Sequence, residues 1–125
     1  MWSDPWVGLP FEKLGRGPHA YDCLGLYLAL VRERLGRELP DPRLTIMDAV
    51  RDRRVGALRA EFVRVKEARE GDALLFFFGR TAFHVGYALG ARDMLHVGEG
   101  MDGSAIERWA SPLWREKLEG IYRVR

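Results

Sequence analysis

The chain has 125 residues, 47% hydrophobic and 30% charged, enough for one ordinary globular domain with a single core. Twenty basic residues against 18 acidic leave a net charge of +2, too near balance to point to nucleic acid or an anionic membrane as partner. A single cysteine excludes an intramolecular disulfide framework. No charged-then-apolar leader opens the sequence and no apolar run reaches bilayer length, so the expectation is a chain made and folded in the cytoplasm, without a membrane span.

Residues Met1 to Phe11 mix Trp2, Trp6, Leu9 and Phe11 with Pro5, Gly8 and Pro10, a composition that cannot sustain a helix but carries aromatic anchors. An extended arm packed on the domain is expected. The turn-rich run Gly15 to Asp22 then gives way to Cys23 to Leu35, whose apolar residues are too dense for a surface helix and too long a run for a strand. This reads as a buried helix with Asp22 as N-cap and Gly36 as its stop. Cys23 therefore occupies the first turn, where free backbone N–H groups and the positive end of the helix dipole should make its thiolate easier to reach than that of a free thiol.

The segment Leu39-Pro40-Asp41-Pro42 turns the chain. Ile46, Ala49, Val50, Val55 and Leu58 suggest one or two short helices, with Arg51, Arg53, Arg54 and Arg59 balanced by Asp48, Asp52 and Glu61 on a salt-bridged, solvated face. From Phe62 the period changes. Phe62 to Val65 alternates weakly; Arg69 to Asp72 is a turn; Ala73 to Phe78 reads as a strand buried on both faces. After Gly79-Arg80-Thr81 comes a strand with Phe83, Val85, Tyr87 and Leu89 on one face and His84, Gly86 and Ala88 on the other. A turn at Gly90 to Asp93 leads to a strand over Met94 to Val97, a loop over Gly98 to Gly103, a short strand and helical turn around Trp109 and Trp114, and a last strand over Gly120 to Val124. Helices first and an antiparallel meander after give an α+β single domain over 1–125, its arm at 1–11, with the nucleophile-bearing helix packed on the sheet.

His84 and His96 lie an even number of residues apart, with a turn near the midpoint. A three-residue loop at Leu89 to Ala91 would set them directly opposite on one face, where one ring reaches the other. Gly86 and Ala88 leave room on that face for the helix that carries Cys23. A thiol, a base and a group that fixes the base's tautomer are the parts of nucleophilic catalysis, with Cys23 attacking, His84 moving the proton and His96 orienting His84. A different use of the same residues is a zinc site made by His19, Cys23, His84 and His96.

The stretches Gly-Arg-Gly-Pro-x-x-x-Asp-Cys-x-Gly-Leu at 15–26, Glu-Gly-Asp-Ala-Leu-Leu-Phe at 70–76, His-Val-Gly at 84–86 and Met-Leu-His at 94–96 resemble the NlpC family of papain-like cell-wall cysteine peptidases. The ending Glu-Gly-Ile-Tyr-Arg at 119–123 is similar to its phage-tail and prophage branch. The resemblance implies a papain-like α+β fold and hydrolysis of the D-γ-glutamyl to diamino-acid bond of peptidoglycan stem peptides. Cys23, His84 and His96 match the catalytic triad, with no metal or cofactor. It also implies phage tail-tip proteins as partners and a place in the virion tail or at the cell wall. Where many members carry a serine after the cysteine and a tyrosine twelve residues before it, this chain has Leu24 and Phe11; these two and Asp22 are the candidate substrate-binding residues. Losing those hydroxyls keeps open a second reading, a structural or assembly module of a phage tail with little activity.

Overall fold

Helix α1 (Cys23–Leu35) is fixed at both ends by its own sequence. The Asp22 carboxylate accepts the Gly25 N–H at 2.7 Å, and Gly36 closes the helix in the left-handed conformation at φ +65°. Every residue from Leu24 to Val31 is buried, so the helix has no solvent-facing stripe along its first two turns. The computed structural model describes residues 1–51, 56–79 and 82–125.

The arm preceding α1 is not extended throughout, as Asp4–Trp6 forms one 3-10 turn. Pro5 stands in its first positions, where the missing N–H costs nothing. Trp2 lies between the Arg34 guanidinium, 4.0 Å from the indole centroid, and the edge of Tyr87. Trp6, Leu9 and Phe11 also pack against the main core, and the arm is tied down where Gly8 N–H donates to Ser104 O and Ser104 N–H to Leu9 O, both at 2.8 Å.

Short helices α2 (Ile46–Arg51) and α3 (Gly56–Arg59) occupy the segment expected to hold them, and bury Ile46, Ala49 and Leu58. Arg51 and Arg59 are exposed. Among the described residues, Glu61 pairs with Arg37 rather than within its own segment. Asp52, Arg53, Arg54, Val55, Arg80 and Thr81 lie outside the described residues.

Strands β1 (Phe62–Val65), β2 (Ala73–Phe78), β3 (Ala82–Ala88), β4 (Asp93–His96), β5 (Ala105–Arg108) and β6 (Leu118–Val124) form one sheet in the order β1-β6-β2-β3-β4-β5, every neighbouring pair antiparallel. The meander covers β2 to β5, and β6 returns to lie between β1 and β2. A helical turn, α4 (Pro112–Arg115), carries Trp114 between β5 and β6. The α1 layer packs on the sheet face that carries Val85 and Tyr87, with the Tyr27 and Tyr87 ring centroids 5.9 Å apart. The other face holds a smaller cluster of Leu74, Phe76, Ala88, Met94, Trp109 and Ile121.

Two expectations are corrected here. The room above Gly86 is not filled by α1: a Cβ added there would meet Met94 Sδ at 2.7 Å, so the methionine of the adjacent strand already occupies it. Strand β2 is not buried along its length either, because Phe77 and Phe78 are 42% and 38% exposed. Their side chains face two cavities rather than packed layers.

The Glu70-Gly71-Asp72 turn joins the layers. Buried Asp72 accepts two hydrogen bonds from Arg123 on β6, at 2.9 and 2.8 Å. Tyr27 of α1 donates to Gly71 O at 2.8 Å, and Tyr87 of β3 donates to Glu70 at 2.7 Å. Two of the recognisable sequence stretches, 70–76 and 119–123, thus meet through one ion pair.

Candidate active site

Cys23 opens onto a cleft of about 630 Å³ whose lining includes Phe11, Asp22, His84, His96, Glu107 and Trp114. Its approach to β3 follows from the sheet. Strands β3 and β4 pair only at Tyr87 with Leu95 and Ala88 with Met94, so they have parted by the level of His84. The Val85 N–H is one of two backbone donors, with Leu24 N–H, that favour the thiolate of Cys23. These donors do not prevail. Burial is the largest influence and pushes the thiol up to about 12, and the neighbouring Asp22 charge acts in the same direction. Burial of Cys23 thus works against the thiolate that the helix N-terminus was expected to favour.

The two histidines share a face of the sheet but are not directly opposed. The three-residue loop falls at Gly90 to Arg92, one residue later than expected, with Leu89 N–H donating to Asp93 O at 2.8 Å. This moves the register by two residues, which preserves the face. His84 and His96 stand diagonally, a separation that long or aromatic side chains span. His84 Nε2 and His96 Nδ1 are 2.8 Å apart. His96 Nε2 is in turn 2.5 Å from Glu107 Oε2 on β5. Both rings are buried, and Trp114 packs against them with centroids 5.8 and 5.2 Å away. Phe78 stacks on His84 at 5.1 Å. Burial and the facing His96 push His84 down to about 3; burial also lowers His96, against an opposing pull from Glu107. Burial therefore favours the neutral form of thiol and imidazole alike.

Asp22 is 3% exposed and doubles as the helix cap and the partner of Arg16 Nη1 at 2.8 Å. Its second oxygen, Oδ2, is buried with no hydrogen-bond partner among the described residues. Burial raises the Asp22 carboxyl above its ordinary range, with Gly25 N–H and Arg16 opposing. Arg16 also contacts Asp41 at 2.8 and 3.1 Å and Leu44 O at 2.9 Å, linking the start of α1 to the chain that leads into the cleft wall at Thr45. Leu24 points elsewhere and lines a neighbouring apolar cavity of about 520 Å³. His19 is exposed and does not line the cleft, so the four zinc ligands are not brought together. Among the described residues no group of three or more His, Cys, Asp or Glu side chains is arranged to hold a metal ion.

Sequence reasoning missed Glu107, Trp114 and Arg16 as parts of the site. The alternation of Ala105-Ile106-Glu107-Arg108 does place Glu107 on the same face as Ala105, the partner of His96. The long loop before β5 leaves that register open in the sequence.

A cysteine at the head of a core helix, lining one cleft with two imidazoles borne by an antiparallel sheet, defines the α+β architecture of this site. Residues 8–123 match the NlpC/P60 family, and the chain belongs to that family. It is 27% identical over 119 residues to the murein DD-endopeptidase MepS/murein LD-carboxypeptidase of Escherichia coli K12, a match covering 95% of this chain and 57% of the relative. The chain thus spans little more than half the length of that curated relative. An NLP/P60-family protein similar to lipoprotein from Staphylococcus aureus Mu50 superposes with a TM-score of 0.67 at 24% identity, covering 95% of this chain and 37% of that one. The NlpC/P60 domain of the peptidoglycan hydrolase SagA superposes with a TM-score of 0.62 at 17% identity, covering 95% of this chain and 90% of that one. Both structures share the fold.

Proposed function

We propose that the protein is a cysteine peptidase of the bacterial cell wall that cleaves the D-γ-glutamyl to diamino-acid bond of peptidoglycan stem peptides. The observation that carries this reading is the presence in one cleft of Cys23 and a hydrogen-bonded His84–His96 pair. Family membership and the murein peptidase name of the E. coli relative support hydrolysis of murein peptides; that name denotes DD- and LD-bonds, and the choice of the D-γ-glutamyl bond rests on the sequence resemblance alone.

In this mechanism Cys23 Sγ attacks the scissile carbonyl carbon while its proton passes to His84. Burial favours the protonated thiol and the neutral imidazole, so in this reading the proton moves with the attack rather than before it. The first backbone N–H groups of α1, which have no partner in a preceding turn, would receive the developing oxyanion. Collapse of the tetrahedral intermediate expels the amine, which takes its proton from His84 and leaves a thioester. Water, deprotonated by His84, then releases the acid and restores the thiol. Asp22 is the candidate partner of a substrate amino group, although its Oδ2 is buried beneath the cleft surface, and Phe11 lines the same cleft without a hydroxyl to offer.

The 119–123 ending supports a phage-tail or prophage setting, with tail-tip proteins as partners and delivery from the cytoplasm to the virion tail or cell wall. A second reading, a tail module with little activity, is favoured by Phe11 and Leu24, which offer no hydroxyl, and by the burial of the Cys23 thiol, which raises it. Stem-peptide cleavage separates the two. Release of the amine by the unsubstituted protein but not by Cys23→Ala or His84→Ala supports the peptidase, and an inert unsubstituted protein supports the module.

A further inference from the structure

We infer that Glu107 is a positioning residue that sets the tautomers of both histidines and leaves His84 Nδ1 as the free base. The inference deepens the peptidase reading and rests on it for its catalytic meaning. Its geometry is a diagonal line across three successive strands, from His84 on β3 through His96 on β4 to Glu107 on β5. His96 pairs with Ala105, so Glu107 is displaced from it by two residues and remains on its face, repeating the step from His84 to His96.

The direction of the line follows from donor counts. An ionised carboxylate only accepts, so at 2.5 Å the proton of that contact belongs to His96 Nε2. A neutral imidazole protonated at Nε2 has a lone pair at Nδ1. His96 Nδ1 must then accept, and His84 Nε2, 2.8 Å away, must donate. His84 is left with its lone pair at Nδ1. That edge faces Gly98 on the cleft wall, where an added Cβ would come 3.6 Å from His84 Cε1 and 4.0 Å from Nδ1. Among the described residues His84 Nδ1 has no hydrogen-bond partner. Running the line in reverse needs a protonated Glu107 and puts a proton on His84 Nδ1, where the nucleophile's proton has to go.

The charge of Glu107 serves a second step. When His84 takes the Cys23 proton at Nδ1, its Nε2–H strengthens as a donor to His96, whose own Nε2–H leans on the carboxylate. Trp114 packs on both rings and helps to bury the His84–His96 contact. The only other polar contact of Glu107 among the described residues is from Trp114 Nε1, at 3.4 Å.

The test is imidazole 15N NMR on the whole protein at neutral pH, with stem-peptide kinetics in parallel. The unsubstituted protein is expected to show His84 and His96 as Nε2–H tautomers. In Glu107→Ala both rings should shift toward a mixture, with formate moving them back, since the Glu107 side chain is 43% exposed and its place is reachable. Glu107→Lys, which presents a donor, should drive both rings toward Nδ1–H. In the kinetics kcat should fall about 10- to 100-fold in Glu107→Ala with KM little changed, in line with loss of a correctly held general base. Unchanged tautomers in both variants overturn the inference. If the unsubstituted protein cleaves nothing yet its tautomers move as described, the peptidase reading fails and the positioning role stands.

Discussion

Arg16 Nη1 stands 2.8 Å from Asp22 Oδ1, the same oxygen that caps the Gly25 N–H. One buried carboxylate oxygen therefore anchors both the helix that presents Cys23 and the guanidinium that reaches Asp41 and Leu44. Removing either partner has different consequences. Asp22→Asn keeps an oxygen for the cap and should cost about 1 kcal/mol. Arg16→Ala strands a buried carboxylate and should cost about 3 kcal/mol or more. Urea midpoints at neutral pH check the order, and adding Asp22→Asn to Arg16→Ala should recover part of the loss. Equal losses would mean that the pair is not coupled.

Gly25 explains why Asp-Cys-x-Gly is read as a unit. A Cβ at this position would lie 2.0 Å from Gly15 O, a backbone atom held by its own hydrogen bonds, Gly15 N–H to Glu12 O and Asp22 N–H to Gly15 O. Gly25→Ala is expected to destabilise by about 3 kcal/mol, the upper end for overpacking, because no side chain can swing aside. Gly36→Ala, which strains a left-handed cap but meets nothing within 4 Å, should cost about 1 kcal/mol. A thermal or urea series on both variants checks the ranking.

What was legible in the chain and what was not divide along local and non-local lines. The bounds of α1 followed from Asp22 and Gly36, because caps are decided within one turn of the chain. The faces of β3 followed from alternation, and His84 with Val85 fell on opposite faces as expected. The side on which α1 packs did not follow. Gly86 signals close approach without saying by what, and Met94 from the neighbouring strand supplied it. A one-residue shift of the turn moved the register by two and left the histidine face intact, so the pair survived an error in its exact opposition. The burial that raises the Cys23 thiol was not legible either, since the strands and loops around it lie far along the sequence.

Burial of neutral histidines makes stability fall on acidification. His84 is pushed down to about 3 and His96 is also lowered, so below the ordinary histidine range the unfolded chain binds protons that the folded protein refuses. Stability then rises with pH across that window, by about 1.4 kcal/mol per pH unit for each such proton. The sign reverses at high pH: Cys23, raised to about 12, keeps its proton in the folded protein where the unfolded chain has lost it, and stability falls as pH rises above 9. Urea midpoints from pH 4 to 10 should pass through a maximum. His84→Gln should flatten the acid limb, and an unaltered acid limb in that variant would argue against a neutral, buried His84.

Alkylation of Cys23 tests the neutral pair directly. With its thiol pushed up to about 12 and His84 down to about 3, the resting site holds little thiolate at neutral pH. Iodoacetamide modification, followed by intact mass, should become rapid only above the free-thiol value of about 8.5, and a strong chelator should leave the profile unchanged. Stem-peptide cleavage should nevertheless proceed near neutral pH, because the proton is transferred to His84 during attack and needs no prior ionisation. His84→Ala should abolish cleavage while moving the alkylation profile little. Rapid alkylation well below pH 8.5, lost in His84→Ala, would instead show a preformed thiolate–imidazolium pair, and attack would then begin from the ionised nucleophile.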